Sequence, residues 1–180
     1  MKVTETALPG VLIVEPKVFG DQRGFFLETF NAQRYQEAAG IRATFVQDNH
    51  SRSRRGVLRG LHLQTRRPQG KLVRVARGEV FDVVADVDPR SPTFGKWVAA
   101  ILSDDNSRQL WIPPGYAHGF LTLSEVADFE YKCTDFYDPE FEAGVIWNDA
   151  DLAIDWPLSD PTVSAKDARL PALATLRKNA

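Results

Sequence analysis

Two histidines of this chain lie in tracts that are typical of a reactive site. His62 stands in the run GVLRGLHLQ at residues 56–64, with Arg59 three residues before it, and His118 ends the run PPGYAH. A short apolar run bounded by glycine is typical of a β-strand, and a titratable residue on such a strand often lines a pocket. An imidazole titrates near neutral pH, so His62 is a candidate general base.

These two tracts resemble the two sequence motifs of the cupins, a group of jelly-roll proteins. The metal-binding form of the first motif has a second histidine two residues after the first, followed later by a glutamate. Here Gln64 stands in place of the second histidine, and no glutamate follows at the usual spacing. Because a metal site takes three or four ligands, we expect no metal at these histidines. We also expect no other cofactor. A metal held by His62, His118 and a distant carboxylate is the alternative.

A histidine base also needs a carboxylate that orients its ring and a partner that donates a proton. Tyr131 shares one face of a predicted strand with Phe129 and Cys133, so its phenol is expected to point inward. The same pattern fits a core tyrosine whose hydroxyl bonds the backbone equally well. Lys71 begins another predicted strand and could stabilise an oxyanion, although the pattern by itself favours a surface lysine.

The composition limits the classes of protein to which the chain can belong. With 180 residues, 43% of them hydrophobic and 26% charged, the sequence fits one globular domain over residues 1–180. The single cysteine, Cys133, excludes an internal disulfide and is typical of a reducing compartment. The N-terminus lacks the apolar segment of a signal peptide, and no apolar run is long enough to span a membrane. We therefore expect a cytoplasmic protein that does not bind membranes.

A local excess of positive charge predicts the kind of ligand. Nine basic residues and no acidic ones lie between Ser51 and Gly78, whereas the net charge of the whole chain is −2. This concentration favours a small polyanion such as a diphosphate. A solvated loop explains Arg52, Arg54 and Arg55 at least as well. Nucleic acid is not expected, because the chain is acidic and no aromatic stacking motif accompanies the basic residues.

The elements that must position these residues are mainly strands. Alternating or β-branched runs between turn residues predict strands at residues 11–14, 23–30, 72–88, 97–102 and 128–134. One helix is predicted over 32–39, with Asn31 as its N-cap and Gly40 at its end, and the stretch from Ser164 is predicted to add a turn or a short helix. Many short strands without βα alternation predict an all-β jelly-roll barrel or closed sandwich with one or two short peripheral helices.

From about Val11 to about Pro171, the chain resembles the dTDP-4-dehydrorhamnose 3,5-epimerases of bacterial rhamnose synthesis. The matching segments occur in the order of the family and with near-family spacing, at residues 19–28, 45–51, 56–64, 69–74, 78–82, 91–95, 111–120, 131–134, 147–149, 154–157 and 164–167. This resemblance is far more specific than any one motif.

The resemblance implies a metal-free, cupin-type homodimer that inverts C3 and C5 of a dTDP-linked 4-keto-6-deoxyhexose. Both carbons lie α to the C4 ketone, so removal of either proton yields an enolate. The family pattern assigns four catalytic roles: the base His62, its orienting carboxylate Asp167, the opposing proton donor Tyr131 and the oxyanion-stabilising Lys71. Inversion requires proton transfer on opposite faces, because a single base would return the proton to the face from which it came.

The same resemblance implies a wider set of contacts to the sugar and the nucleotide. These residues are Arg23, Glu28, Gln47, Asn49, Arg59, Lys71, His118, Glu142 and Lys166. Tyr137 matches an aromatic residue that stacks on the thymine across the dimer. Charge by itself supports Arg23, Arg59 and Lys166 as ligands of a diphosphate or a sugar. For Glu142, a solvated loop carboxylate is nearly as good an interpretation.

One geometric condition follows from the first tract. In a regular strand, Arg59 and His62 point to opposite faces, so both can line one pocket only if the strand is irregular between them. Gly60 is the predicted place of a bulge or kink.

Three other functions fit parts of the pattern. A relative that inverts only one carbon would keep the same base, acid and fold. A sugar-binding cupin without catalysis would require His62, Tyr131 or Asp167 to be misplaced. A metal-dependent cupin is the third alternative.

Overall fold

Antiparallel strands are the main elements of the protein. The computed structural model describes residues 1–178. Its strands are β1 (Lys2–Glu5), β2 (Leu12–Glu15), β3 (Val18–Asp21), β4 (Gly24–Leu27), β5 (Gln47–Arg54), β6 (Leu58–Gln64), β7 (Lys71–Arg77), β8 (Glu79–Ala85), β9 (Trp97–Ser103), β10 (Gln109–Ile112), β11 (Ala117–Thr122), β12 (Val126–Cys133) and β13 (Glu142–Gly144). The helices are α1 (Ala32–Ala39) and α2 (Leu173–Lys178), with 3₁₀ turns at Pro139–Phe141 and Asp167–Arg169.

The strands form two large sheets and a separate hairpin of β3 and β4. The six-stranded sheet has the order β1-β2-β10-β7-β12-β5, and the five-stranded sheet has the order β13-β6-β11-β8-β9. Apolar side chains of both sheets meet in one cluster, in which the rings of Phe120 and Phe129 stack with centroids 4.1 Å apart. The predicted mainly-β fold of jelly-roll type is confirmed. Within residues 1–178, however, hydrogen bonding does not close the two sheets into a barrel.

Short peripheral elements cover the outer faces of the sheets. The predicted helix is confirmed, because the Asn31 side chain accepts the Arg34 N–H and Gly40 ends the helix in a left-handed conformation. Its residue Tyr35 is buried against the six-stranded sheet. The C-terminal segment, including α2, packs Leu173 against the outer face of the five-stranded sheet. Across residues 1–178, no helix has the length and apolar character needed to cross a membrane.

The predicted strand at residues 72–88 is wrong in one respect, because it consists of two strands that belong to different sheets. β7 lies in the six-stranded sheet and β8 in the five-stranded sheet, and Gly78 connects them with a φ of +81°. A Cβ at Gly78 would lie 2.1 Å from the Val126 carbonyl oxygen. Only glycine therefore fits the crossover, and the alternation on either side of it describes two separate surfaces.

The predicted irregularity at Gly60 is confirmed. Three residue steps on β6, from Arg59 to His62, lie opposite two steps on β11, from Phe120 to His118. Gly60 has a φ of +119°, and the peptide bond that follows it is cis. The extra residue on β6 turns the Arg59 and His62 side chains toward the same side of the sheet, where both line one cavity.

Candidate active site

His62 projects from β6 into a cavity of about 510 Å³ between the two sheets, here called the inner cavity. Its Nε2 lies 2.8 Å from Oδ1 of Asp167, which begins the second 3₁₀ turn. The other oxygen of this carboxylate accepts the backbone N–H of Gly60 at 3.2 Å. The irregular strand thus supplies both the base and a donor that fixes the carboxylate beside it.

The Asp167 carboxyl group is held in its ionised form. Burial by itself would raise the pKa of Asp167, but the hydrogen bond and charge of His62, together with the Gly60 N–H, lower that pKa instead. An ionised carboxylate keeps the proton on Nε2 of the imidazole and stabilises the ring when it becomes cationic. Nδ1 of His62 has no hydrogen-bond partner among the described residues, so it is free to accept a proton.

Tyr131 and Lys71 face the same cavity from the six-stranded sheet. Burial raises the pKa of the Tyr131 phenol, which is therefore protonated at neutral pH. Its hydroxyl makes no hydrogen bond to a residue in the described range, so the backbone-satisfied core tyrosine is not observed. Lys71 is half-buried, and the surface lysine that the pattern favoured is wrong. Burial lowers the pKa of Lys71, against the opposing effects of Cys133, Asp82 and Glu142.

A second imidazole–carboxylate pair lies beside the first. His118 on β11 is opposite His62, and its Nε2 lies 3.0 and 2.9 Å from the two oxygens of Asp82 on β8. Both side chains are buried. Burial raises the pKa of Asp82, whereas the charges of His118 and Lys71 oppose that shift. Asp82 was not among the predicted site residues, although an aspartate between Phe81 and Val83 in an apolar strand is a detectable signal.

The contacts of the two imidazole rings also bear on whether His62 and His118 could bind a metal ion. Each ring uses Nε2 to contact a carboxylate. No group of three or more histidine, cysteine, aspartate or glutamate side chains within residues 1–178 is placed to hold a metal ion. The absence of a metal stays a prediction.

A second cavity of about 350 Å³, here called the outer cavity, extends the site. It shares four lining residues with the inner cavity, namely His62, Lys71, Tyr131 and Lys166. Its other polar lining side chains include predicted ligand contacts, namely Gln47, Asn49, Tyr137 and Glu142. The two cavities form one cleft. Tyr137 lines the cleft of its own chain, whereas the family resemblance implied that it stacks on the thymine across the dimer.

Glu142 links two other predicted residues across this cleft. Its Oε2 accepts hydrogen bonds from the Tyr137 hydroxyl and from Nζ of Lys166. Burial by itself would raise the pKa of Glu142, but these two donors and the charge of His62 lower it. Glu142 is therefore not the solvated loop carboxylate that was the alternative interpretation.

Three predicted contacts lie at the margin of the cleft or outside it. The Arg59 guanidinium lines the inner cavity and donates to Oγ of Ser53 at 3.0 Å. Arg23 is 84% exposed in its side chain and bonds Asp21 at the turn between β3 and β4, away from both cavities. Glu28 forms an ion pair with Arg34 of α1, also away from the cleft.

Comparisons with known proteins agree with this geometry. The family model for dTDP-4-dehydrorhamnose 3,5-epimerase matches residues 5–175. The chain is 58% identical over 175 residues to the dTDP-4-dehydrorhamnose 3,5-epimerase of Pseudomonas aeruginosa, a match that covers 97% of each chain. A dTDP-6-deoxy-D-glucose-3,5-epimerase from Legionella pneumophila, solved in complex with dTDP-4-keto-L-rhamnose, superposes with a TM-score of 0.93 at 54% identity, covering 97% of this chain and 96% of that one.

A relative with a narrower activity is less similar. A 3′-monoepimerase from Streptomyces bikiniensis, solved in complex with dTDP-quinovose, is 33% identical with a TM-score of 0.91 and covers 97% of this chain and 89% of that one. The imidazole–carboxylate pair, the opposing phenol and the near full-length match to the family model lead to one conclusion. This chain belongs to the dTDP-4-dehydrorhamnose 3,5-epimerase family.

Proposed function

We propose that this protein inverts C3 and C5 of dTDP-4-dehydro-6-deoxy-D-glucose, by acid–base chemistry without a metal, in dTDP-L-rhamnose biosynthesis. One observation carries the proposal: the His62–Asp167 pair and the Tyr131 hydroxyl line the same cavity from opposite sheets. A sugar ring bound between them would have the base on one face and the acid on the other.

The first half of each inversion is removal of a proton from C3 or C5. Nδ1 of His62 takes the proton, and the electron pair of the C–H bond moves through the carbonyl to the C4 oxygen. The Lys71 ammonium beside the cavity stabilises the enolate oxygen, while Asp167 stabilises the imidazolium. Oxyanion stabilisation and general base catalysis each contribute on the order of a hundredfold or more to the rate.

The second half is return of a proton to the opposite face. The Tyr131 hydroxyl donates its proton to the enolate carbon, the C4 ketone re-forms, and the configuration at that carbon is inverted. The raised pKa of Tyr131 keeps the phenol protonated until the enolate is present. Exchange of protons with water then restores Tyr131 and His62 for the second carbon.

The nucleoside end of the substrate would occupy the outer cavity, and its diphosphate would lie where the outer cavity meets the inner one. Lys166 and Arg59 supply positive charge for the diphosphate, and the amides of Gln47 and Asn49 supply hydrogen bonds. The Tyr137 ring would stack on the thymine. His118, held by Asp82, and Glu142 would contact the sugar.

We also propose that the active form is a homodimer. The hairpin of β3 and β4 pairs only with itself within the described chain and exposes Phe19, Phe25 and Phe26 by 52%, 67% and 68%. Exposed aromatic residues on an unsupported hairpin are typical of a protein interface. Packed against a second copy, this hairpin would carry Arg23 to the cleft of that copy, and Glu28 directly follows the same hairpin.

Sequence identity bears on which carbons react. The 58% identity to a 3,5-epimerase exceeds the 33% identity to the 3′-monoepimerase, which favours inversion of both carbons.

The free, buried Cys133 supports a reducing compartment, and we place the protein in the cytoplasm.

The proposal is tested by incubation with the 4-keto sugar nucleotide in deuterated water. We expect NMR to find deuterium at both C3 and C5 of the product, and none with the variant His62→Ala. Label at only one carbon would assign the protein to the mono-epimerases. A wild-type protein that introduces no label would contradict the epimerase function.

A further inference from the structure

Tyr137 lies in a short segment, residues 135–138, between β12 and the first 3₁₀ turn. This segment belongs to none of the strands given above. Three glutamine side chains hold its backbone, one from the start of β5 and two from the end of β6 and the loop that follows it. Nε2 of Gln69 donates to the first carbonyl of the segment at 2.8 Å. Oε1 of Gln47 accepts the N–H of Tyr137 at 2.9 Å. The third glutamine, Gln64, makes the central contacts.

Gln64 is 5% exposed at the end of β6, two residues after His62. Its Nε2 donates to the carbonyl of Phe136 at 3.3 Å and to the carbonyl of Arg67 at 2.8 Å. Its Oε1 accepts the N–H of Asp138 at 2.9 Å. Gln64 therefore holds both neighbours of Tyr137, and its two amide hydrogens and its oxygen are all used.

Tyr137 needs such support because the segment itself has little burial. The Tyr137 residue is 50% exposed and Phe136 is 56% exposed. A stacking ring on a mobile segment would lose conformational entropy when the nucleobase binds, and a segment fixed in advance avoids much of that cost. The amide is suited to this task, because neither a carboxylate nor an imidazole can donate to two carbonyls and accept one N–H at the same time.

We propose that Gln64 is a positioning residue for nucleobase recognition, which holds the 135–138 segment so that Tyr137 presents its ring at the cleft. This inference rests on the proposed stacking role of Tyr137. Gln64 occupies the position at which a metal-binding cupin motif has its second histidine. In this chain the position serves the nucleotide end of the site instead.

The first test is the variant Gln64→Met, which keeps the length of the side chain and removes all three hydrogen bonds. We expect the Kd of dTDP, measured by calorimetry, and the KM of the substrate to rise about fivefold to tenfold, as for the loss of one or two hydrogen bonds. The kcat should stay within about twofold, because His62, Asp167 and Tyr131 keep their contacts. A kcat loss with an unchanged Kd of dTDP would overturn the proposal.

Asn106 provides a matched control far from the cleft. Like the amide of Gln64, its side-chain amide makes three hydrogen bonds to the backbone. It donates to the Ile101 carbonyl and accepts the N–H groups of Ser103 and Arg108 in a turn. We expect Asn106→Leu to lower the thermal midpoint as Gln64→Met does, but to leave the Kd of dTDP unchanged. Equal changes of Kd in both variants would mean that Gln64 acts only through general stability, against the proposal.

A double-mutant cycle with Tyr137→Ala decides whether Gln64 acts through Tyr137. Tyr137→Ala by itself should raise the Kd of dTDP about tenfold, as for the loss of one stacked base. In the Tyr137→Ala background, Gln64→Met should then change the Kd less than about twofold. A full effect of Gln64→Met in both backgrounds would refute the positioning role but leave the stacking role intact.

Failure of the proposed function has a different signature. If Tyr137→Ala leaves the Kd of dTDP unchanged, the stacking role is wrong and the inference about Gln64 falls with it. If Gln64→Met does not fold, Gln69→Leu tests the same segment through its single bond to the Asp135 carbonyl. We expect this variant to raise the Kd about twofold to fivefold in the wild-type background and not in the Tyr137→Ala background.

Discussion

Each imidazole in the cleft has its own carboxylate, and this arrangement gives the two rings different tasks. The Asp167 carboxylate is held ionised and also bonds the Gly60 N–H, so His62 keeps one nitrogen free toward the cavity. Asp82 lies deeper, where burial raises its pKa. The first pair is suited to proton removal, whereas the second is suited to holding His118 in place against the sugar.

The proposed roles of His62 as base and Tyr131 as acid lead to a prediction for Tyr131→Phe. His62 remains able to remove the proton, so exchange of the C3 and C5 hydrogens with deuterated water should continue. Epimerised product should form at least about a hundredfold more slowly, because no acid faces the opposite side of the enolate. NMR follows both processes in one sample. An equal loss of exchange and of product would show that Tyr131 is not purely a proton donor.

Among the elements, β6 determines the shape of the site. Its bulge brings Arg59 and His62 to one face and also places the Gly60 N–H against Asp167. At the bulge, the backbone of Gly60 packs directly on Gly119 of β11, which leaves no room for a side chain at position 60. A Cβ on Gly60 would lie 2.6 Å from the Cα of Gly119 and 2.7 Å from the His118 carbonyl oxygen.

We therefore expect Gly60→Ala to destabilise the protein and to displace His62. The cost combines the unfavourable positive φ with a backbone clash, and should reach about 3 kcal/mol or more in the free energy of unfolding. Gly115→Ala is the matched control, since Gly115 has a φ of +103° and nothing within 4 Å of a built Cβ. Its positive φ should cost about 1 to 2 kcal/mol, and kcat should stay unchanged. Urea denaturation measures both, and similar costs would contradict the role assigned to close packing.

An ion pair between β12 and the edge strand β5 of the six-stranded sheet leads to a second prediction. Asp128 on β12 accepts two hydrogen bonds from Arg52 on β5, at 2.6 and 2.8 Å, and lies 3.5 Å from His50. The Arg52 bonds chiefly, and His50 to a lesser degree, lower the pKa of Asp128 from 3.8 to about 2. Because the folded pKa is below the unfolded value, this pairing stabilises the protein above about pH 4 and its contribution is lost as the pH falls toward 2.

Asp128→Asn tests this pH dependence. At pH 6 the wild type should be more stable than the variant by about 1 kcal/mol, a figure reduced for the solvent exposure of Arg52. Near pH 2 the difference should be mostly lost. Urea denaturation at the two pH values measures it, and a difference that is constant with pH would contradict the ion pair as its source.

For the whole molecule, the predicted ligands divide into two groups. One cleft of the chain is lined by the proposed catalytic residues and by most of the predicted nucleotide contacts. Arg23 and Glu28 lie outside that cleft, on or beside an exposed aromatic hairpin. A homodimer in which each hairpin serves the other cleft would bring the two groups together.

The dimer hypothesis predicts different results for two hairpin substitutions. Phe25→Asp should convert the protein to a monomer in sedimentation velocity and lower kcat/KM at least about tenfold, because the second copy no longer supplies Arg23. Arg23→Ala should keep the dimer and raise KM by a similar factor, since only the cation is lost. A fully active Phe25→Asp monomer would contradict the shared site.

Local patterns in the sequence were sufficient for several features. The caps of α1 and strands such as β2, β9 and β12 follow from local hydrogen bonding and side-chain alternation, which need no knowledge of distant residues. The irregularity at Gly60 was predicted instead from the condition that Arg59 and His62 line one pocket. The local tract of His62 indicated a candidate general base. Proton transfer at carbons α to a ketone, with Tyr131 as acid and Lys71 at the oxyanion, was implied only by the family resemblance.

Other features depend on how the two sheets pack. His62 and Asp167 are 105 positions apart, and His118 and Asp82 are 36 positions apart, yet each pair is in hydrogen-bonding contact. The crossover at Gly78 and the glutamine contacts around Tyr137 also join segments that no local periodicity relates. The residue types and local motifs indicate which groups are able to react. Which of these groups meet depends on the folded structure, because sheet pairing and packing, and not spacing along the chain, bring distant side chains together.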